Sequence, residues 1–209
     1  DVDGKIDQGS VYFFTRDGSI WSEELHLIAS DGEAFECFGR AVALSGDTAL
    51  VGAYGDSIGG NSLQGSVFVY TYNDETWDFQ QKLTALDGAA NDQFGWALAL
   101  DGDTALVGAY VDDVGANTNQ GSAYVFLREG TTWSQQAQLI APDGVAGDEF
   151  GVSVAIDGDT ALVGTWGMIS GQVRSGSAYV FTRSATTWSL QQKLTASDGV
   201  PGDHLAYSV

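Results

Sequence analysis

An aromatic side chain recurs at one place in three variable loops, and in two of them acidic side chains follow it closely; these are the residues best suited to hold a ligand. Carboxylate oxygens can bind a cation such as Ca²⁺ or pair with the lysines and arginines of a partner. Aromatic rings add apolar contact area, although the same rings could instead pack at the margin of a core. We predict that recognition is carried by the face that holds Tyr54, Asp56, Tyr110, Asp112, Asp113 and Trp166.

The sequence shows no comparable set of residues that could carry out catalysis. His26 and His204 have no partners at a fixed spacing, and no pair of carboxylates differs from its counterparts elsewhere in the chain. The single cysteine, Cys37, stands near no histidine or second cysteine and is expected to be a small buried side chain. We therefore predict no catalytic residues and no enzyme activity.

A repeat of the whole sequence positions these loops. Its tryptophans are separated by 56, 56 and 55 residues and stand at Trp21, Trp77, Trp133 and Trp188. The string GDTALVG returns unchanged at Gly46, Gly102 and Gly158. A long, regular period of this kind indicates an array of supersecondary units that bury their apolar faces only against their neighbours.

Each unit is predicted to contain four short antiparallel β-strands. In residues 87–141 an apolar strand over 94–100 is followed by an Asp-Gly turn, a strand over 104–109, a variable loop, and strands over 122–127 and 133–141. The first strand is the most apolar and the fourth the most polar. This gradient predicts an all-β fold of β-propeller blades, with the first strand buried on both sides near the axis.

The register of the repeat divides the chain into full blades at 30–85, 86–141 and 142–196. Residues 1–29 correspond to the outer half of a preceding blade, and residues 197–209 to the start of a following one. Closing these units into a small ring would leave unpaired strand edges beside the axis. We therefore expect a partial propeller of about 3.7 repeat units.

The charge of the chain restricts its partners. It has 28 acidic and 8 basic residues, a formal net charge of −20. Phosphates and anionic membrane surfaces would be repelled, and no apolar run approaches the roughly 20 residues of a membrane span, so we predict neither nucleic-acid binding nor membrane insertion. Such acidity suits a secreted or cell-surface protein in a saline setting.

Short motifs at the strand ends carry a resemblance to a known family. Phe-Gly begins at Phe38, Phe94 and Phe150, and Val-Gly-Ala or Val-Gly-Thr closes each second strand. At these residues the chain resembles the FG-GAP repeats that form the blades of integrin α-subunit propellers, and in particular their bacterial subclass. The resemblance covers the whole chain. It implies a propeller, commonly of seven blades, in secreted or surface-attached adhesive proteins, and it implies no reaction.

Integrin-type blades carry a calcium loop between strands one and two, and here the chain departs from that pattern. The connection is a turn of about four residues around Asp47, Asp103 or Asp159, too short to supply the six to eight oxygens that Ca²⁺ takes. We predict no cofactor and no calcium in these turns. Calcium remains possible on the opposite face, where sixteen of the 28 acids should lie.

Two functional classes agree with these observations. The favoured one is a noncatalytic extracellular or cell-surface module for adhesion or structure, in contact with another protein or with matrix. The alternative is a lectin-like propeller that binds carbohydrate, although the three variable loops differ too much to form identical pockets. The expected partner is a protein or a surface polysaccharide, and the chain could also assemble with the rest of its own propeller or with other chains.

Overall fold

The computed structural model describes residues 4–166, 168–169, 172–173 and 175–209. Within these residues the chain forms β-strands and no helix. The first sheet contains β1 (Val11–Asp17) and β2 (Ile20–Leu27). The second contains β3 (Val42–Ser45), β4 (Thr48–Ala53), β5 (Ser66–Tyr72) and β6 (Trp77–Leu83). The third contains β7 (Ala97–Asp101), β8 (Thr104–Ala109), β9 (Ser122–Glu129) and β10 (Thr132–Leu139).

The remaining strands form a last four-stranded sheet and a short hairpin. In chain order they are β11 (Ser153–Asp157), β12 (Thr160–Thr165), the hairpin strands β13 (Met168–Ile169) and β14 (Gln172–Val173), then β15 (Ser177–Ser184) and β16 (Thr187–Leu194).

The sheets have the arrangement of blades in a β-propeller. Each four-stranded sheet is antiparallel and keeps its strands in chain order, β3-β4-β5-β6, β7-β8-β9-β10 and β11-β12-β15-β16. The pair β1–β2 corresponds to the third and fourth strands of such a sheet. The first strands β3, β7 and β11 lie beside one another. The predicted all-β fold, built as a partial propeller, is confirmed.

The turns between first and second strands are two-residue hairpins. Asp101 pairs with Thr104, so Gly102 and Asp103 form the turn, and Gly102 has a φ of +53°. Asp103 Oδ1 accepts a hydrogen bond from Arg128 Nε at 2.6 Å, and its backbone oxygen accepts one from Arg128 N at 2.9 Å. The last sheet repeats this contact. The carboxylates at these two turns therefore tie the turn to the third strand.

The second and third strands, and not the first, are the most buried. Every residue of β4 and β8 is buried, whereas Val42 and Leu44 of β3 are 59% and 65% exposed. The prediction of a first strand covered on both sides holds for β7, where Leu98 and Leu100 pack against one apolar cluster and Ala97 and Ala99 against the next. It is wrong for β3, because only one face of that strand packs against a neighbouring sheet. β7 also begins at Ala97 and not at Phe94, since Phe94 belongs to the junction between blades.

The core consists of apolar clusters between successive sheets. One cluster joins Leu50 and Val69 of the second sheet to Phe94 and Val107 of the next blade. Phe94 is fully buried and meets the ring of Tyr124 edge-on, with the ring centroids 5.6 Å apart. Because each cluster needs side chains from two sheets, no blade completes its core alone.

The Gly-Ser and Phe-Gly motifs are the two halves of one junction between blades. Gly65 forms a parallel bridge with Phe94 of the next sheet. The backbone oxygen of Phe94 occupies the space that a Cβ on Gly65 would need, and Gly121 meets Phe150 in the same way. The main chains of neighbouring blades touch at these points, which explains why glycine recurs there.

The repeated tryptophans join the outer strands of adjacent blades. Trp133 Nε1 donates a hydrogen bond to Gln80 Oε1 at 2.9 Å, and Trp188 Nε1 donates one to Gln136 Oε1 at 2.9 Å. Trp21, in the first sheet, is 64% exposed. In the two later blades the indole therefore packs blades together and is not displayed as a platform for a sugar ring.

Candidate functional site

The variable loops after β4 and β8 lie beside the segments that lead into the next blade. Gln93 N and Phe94 N donate hydrogen bonds to the backbone oxygens of Leu63 and Gln64, at 3.0 and 2.9 Å, and residues 118–120 contact 147–150 in the same way. We name this side the loop face, and it comprises residues 54–65, residues 110–121 and Trp166 with the interblade segments 28–41, 84–96, 140–152 and 197–207. Of the acids predicted for it, Asp1 and Asp3 lie outside the described residues.

Asp56 points into its blade and not out of the loop face. The residue is buried, and its Oδ2 accepts hydrogen bonds from Ser66 Oγ at 2.5 Å and from Lys82 Nζ at 2.6 Å. Lys82 Nζ also lies 2.8 Å from Asp31 Oδ2. Burial opposes the positive charge, but the hydrogen bonds to Asp31 and Asp56 outweigh it and raise the pKa of Lys82. This lysine therefore stays charged and holds the loop against the blade.

Asp112 occupies the same position in the next blade, with different partners. Its Oδ2 accepts hydrogen bonds from Tyr124 OH at 3.0 Å and from Gln138 Nε2 at 3.3 Å. Burial raises the pKa of this carboxyl, and a hydrogen bond donated by the Ser122 hydroxyl opposes that shift. Asp113 differs, because its side chain is exposed and accepts a hydrogen bond from Asn119 N at 2.7 Å. Of the three acids, Asp113 is therefore the most accessible to a ligand.

The aromatic residues of the three loops meet rings from the interblade segments. Trp96 lies between Tyr54 and Tyr110, with ring centroids 5.0 and 4.4 Å away. The guanidinium of Arg40 lies over Trp96, 4.3 Å from the ring centroid. A hydrogen bond with Cys37 raises the pKa of Tyr54 to about 12, so the phenol stays neutral. These residues form an arginine–aromatic cluster at the axial edge of the loop face.

Trp166 stands in a second aromatic contact. Its Nε1 donates a hydrogen bond to His204 Nδ1, and its ring lies 5.4 Å from that of Tyr207. Arg40, Trp96, Val152 and Tyr207 all follow directly after the Phe-Gly or its counterpart. Sequence reasoning missed Arg40, Trp96 and Tyr207, although the variation of this position beside an otherwise constant motif was a signal that could have found them.

Two cavities meet at Arg40. The first, of about 310 Å³, is lined by Arg40, Trp96 and Tyr207 together with residues of β7 and β11. The second, of about 330 Å³, lies between the first and second sheets and is lined by Arg40, Tyr54 and Cys37 among others. Cys37, expected to be buried, is partly exposed at this cavity. Both volumes are at the lower end of the range of small-molecule sites.

The recurring aspartates of the interblade turns bind backbone donors. Asp92 Oδ2 accepts a hydrogen bond from Ala89 N at 2.5 Å, and Asp148 Oδ2 accepts one from Val145 N at 2.9 Å. Across the part of the chain that the structure describes, no three His, Cys, Asp or Glu side chains are grouped to hold a metal ion. These aspartates stabilise the turns that join the blades.

Removing divalent cations is expected to leave the stability of the chain nearly unchanged. The carboxylates of Asp103 and Asp159 at the hairpin turns are paired with arginines, and a turn of this length cannot gather six to eight oxygens. Thermal unfolding with EDTA and with millimolar Ca²⁺ should give melting temperatures within about 2 °C of each other. If EDTA lowered the melting temperature by more than about 10 °C, the chain would contain a structural calcium site and the prediction would be wrong.

The chain should be more stable near pH 5 than near pH 8. Burial, and to a smaller extent the charges of Asp112, Asp87 and Asp113, raise the pKa of Asp92 to about 6. Since the folded state then binds this proton more tightly than the unfolded state does, stability rises as the pH falls through about 6 and levels off near pH 4. Burial also raises the pKa values of Glu36, Asp112 and Glu149, which adds in the same direction.

Urea unfolding at the two pH values measures this effect. We expect a difference of about 2 kcal/mol, of which Asp92→Asn should remove a large part while keeping the acceptor for Ala89 N. Equal pH dependence in the wild type and the Asp92→Asn variant would contradict the assignment.

The chain has antiparallel four-stranded blades, main-chain junctions between the blades, and loops gathered on one face. Together these features define it as a β-propeller repeat protein. The FG-GAP repeat model matches residues 21–70, 77–126 and 133–181, and the chain belongs to the FG-GAP repeat family. Each matched segment joins the fourth strand of one sheet to the first three of the next. No curated protein matches the chain.

The family places limits on function. FG-GAP repeats are found in integrin-like extracellular adhesion modules, are typical of extracellular proteins and are generally noncatalytic. Among the described residues, no helix has the length and apolar character needed to span a membrane.

Proposed function

We propose that the chain is a noncatalytic secreted or cell-surface module for adhesion or structure, which contacts a protein or a surface polysaccharide through its loop face. The observation that carries this proposal is the arginine–aromatic cluster of Arg40, Tyr54, Trp96 and Tyr110, which stands where the variable loops meet the axis. Loops on a rigid scaffold are the usual carriers of binding, and aromatic and arginine side chains are the usual anchors of an interface.

The histidines support a noncatalytic function. His26 is stacked on Tyr12 with ring centroids 4.3 Å apart, and His204 is hydrogen-bonded to Trp166. Neither contact joins the imidazole to a nucleophile or to a carboxylate that would orient it. The carboxylates of Asp56 and Asp112 are bonded to side chains of their own blades.

A lectin-like function is the second candidate. Its support is that half-buried or exposed aromatic rings, those of Tyr54, Trp96 and Tyr207, line the two cavities that meet at Arg40. Such rings offer flat apolar faces to a sugar.

Assembly with further propeller strands is also part of the proposal. Val42 and Leu44 of β3 are exposed beside β1, and the space between these strands is an apolar groove of about 290 Å³. Among the described strands β1 pairs with β2 alone. In the other blades the corresponding strand also pairs with a second strand, so the free edge of β1 and the groove suit strands of the same type, from this protein or from another chain.

The face that binds can be identified with three variants. The chain is incubated with the cells that produce it and with their extracellular matrix, and bound protein is quantified. Trp166→Ala and Asp113→Asn should reduce binding, the former by about tenfold or more because aromatic anchors carry much of the energy of an interface. Asp103→Asn, in a hairpin turn on the opposite face, is the matched control and should bind normally.

Circular dichroism melting of all three variants separates lost binding from lost folding. If Asp103→Asn abolishes binding while Trp166→Ala and Asp113→Asn bind normally, the proposal has the wrong face. If the wild-type chain binds neither cells nor matrix, the adhesive function itself is refuted.

A further inference from the structure

We propose that Arg40, held on the ring of Trp96, is the carboxylate-binding residue of a site for an acidic sugar, a pyranose that bears one carboxylate within an otherwise neutral polysaccharide. This inference rests on the proposed adhesive function and names the ligand class of its loop face.

The charge at Arg40 is unbalanced within the chain. Among the basic residues that the structure describes, Lys5, Lys82, Arg128, Arg183 and Lys193 all pair with carboxylates, and Arg16 and Arg40 do not. Arg40 is exposed, and its guanidinium contacts the Trp96 ring without a carboxylate of the described residues within ion-pair distance. The chain has 28 acidic and 8 basic residues, so acids are plentiful. Arg40 lacks an ion-pair partner because no described carboxylate is placed within ion-pair distance of its guanidinium.

The guanidinium is fixed before any ligand arrives. Trp96 is itself held between Tyr54 and Tyr110, and the guanidinium lies 4.3 Å from its ring centroid. A guanidinium stacked on an aromatic face keeps its N–H groups at its edges, where they can form two parallel hydrogen bonds to a carboxylate. Because the side chain is already positioned, less conformational entropy is lost on binding.

The two cavities beside Arg40 fit a sugar ring better than an acidic side chain of a protein. Tyr54 lines one cavity and Tyr207, which is 54% exposed, lines the other. Ser10, Ser153 and Ser208 line them as well, although Ser153 Oγ already donates a hydrogen bond to Ala206 O at 2.7 Å, and Asp7 also lines the cavity of Tyr54. A pyranose presents an apolar C–H face for the rings and hydroxyls for the serines, whereas an aspartate or glutamate has no apolar face of that size.

The net charge of the chain limits how acidic the polysaccharide can be. At −20 the protein repels a dense polyanion, and this repulsion acts over about a Debye length, while the pairing with Arg40 acts only at contact. A polymer with single carboxylates separated by neutral sugars meets the guanidinium with the least repulsion. The site therefore favours a sparsely charged polymer over a phosphate- or sulfate-rich one.

Calorimetric titration with defined oligosaccharides tests the proposal. The probes are oligosaccharides that contain glucuronate, galacturonate or mannuronate, each beside a matched form whose carboxylates are reduced to primary alcohols. We expect the wild-type chain to bind at least one acidic probe about tenfold or more tightly than its reduced form. Arg40→Gln should abolish that preference, and Arg40→Lys, which keeps the charge but not the planar fork, should retain only part of it.

Arg16→Gln is the matched control. Arg16 also lies over an indole, 6.0 Å from the Trp21 ring centroid, but on the hairpin of β1 and β2 and not at either cavity. This variant should bind as the wild type does. Thermal melting of each variant verifies that the blades remain folded.

Several outcomes would overturn the assignment. These are no binding of any acidic probe, equal binding of acidic and reduced probes, unchanged binding by Arg40→Gln, and tighter binding of an aspartate-containing tripeptide than of every sugar acid. If the chain adheres to cells or matrix while the sugar acids fail, the adhesive function stands and the acidic-sugar site falls. If a sugar acid binds through Arg40 while the chain adheres to no surface, the site stands and the adhesive function falls.

Discussion

Gly121→Ala should destabilise the chain by more than about 3 kcal/mol, whereas Gly102→Ala should cost only about 1 kcal/mol. Both glycines have positive φ, +82° at Gly121 and +53° at Gly102. Their surroundings differ, because a Cβ on Gly102 would point into open space, while one on Gly121 would overlap the backbone of Phe150 and lie 2.7 Å from Tyr110 O. Backbone atoms cannot rotate away as a side chain can, so the junction between two blades would have to separate.

Urea unfolding of the two variants measures the difference. Gly102→Ala controls for the cost of placing any side chain at positive φ, so the excess at Gly121 reports the overlap with the backbone of Phe150 in the next blade and of Tyr110 in its own. The Gly121→Ala variant should also expose the cluster around Phe150, which binding of a hydrophobic dye would detect. If the two variants are equally stable, the junction is not the rigid contact described here.

The same junction shows why the fold could be read from the sequence. Gly65 and Gly121, like Phe94 and Phe150, are fixed by contacts that every blade must make, so their spacing recurs and reveals the unit. The exposure of one face of β3 was not predictable from its composition. An apolar strand has the same pattern of residue types whether both of its faces are covered or only one is, as β3 illustrates.

The candidate site was less accessible to sequence reasoning. Asp56 was placed on the surface because its loop varies, yet its partner Lys82 stands on the fourth strand, and only the pairing of strands brings the two together. Arg40 and Trp96 are 56 residues apart and meet because one blade packs on the next. Contacts that depend on the angle between blades leave no local pattern in the sequence.

Removing the charge of Lys82 should also lower the stability of the chain substantially. Lys82→Met should destabilise the chain by about 3 kcal/mol, because it leaves the carboxylate of Asp56, whose side chain is 5% exposed, without its cation. Lys193 stands at the same position of the last sheet and likewise lies over an aromatic ring, but its partner Asp143 is 57% exposed. Lys193→Met should therefore cost less than about 1 kcal/mol.

The neighbouring blade indicates how the loss at Lys82 can be repaired. There Tyr124 and Gln138, at the positions of Phe68 and Lys82, donate hydrogen bonds to the buried Asp112 without any cation. The double change Phe68→Tyr with Lys82→Gln should therefore be at least about 1 kcal/mol more stable than Lys82→Gln alone, because the new hydroxyl can reach Asp56. Urea unfolding of wild type, both single variants and the double variant forms the required cycle. If the stability effects of the two changes simply add, Asp56 does not accept hydrogen bonds from the introduced tyrosine and glutamine. The buried Asp56 and Asp112 would then not be equivalent.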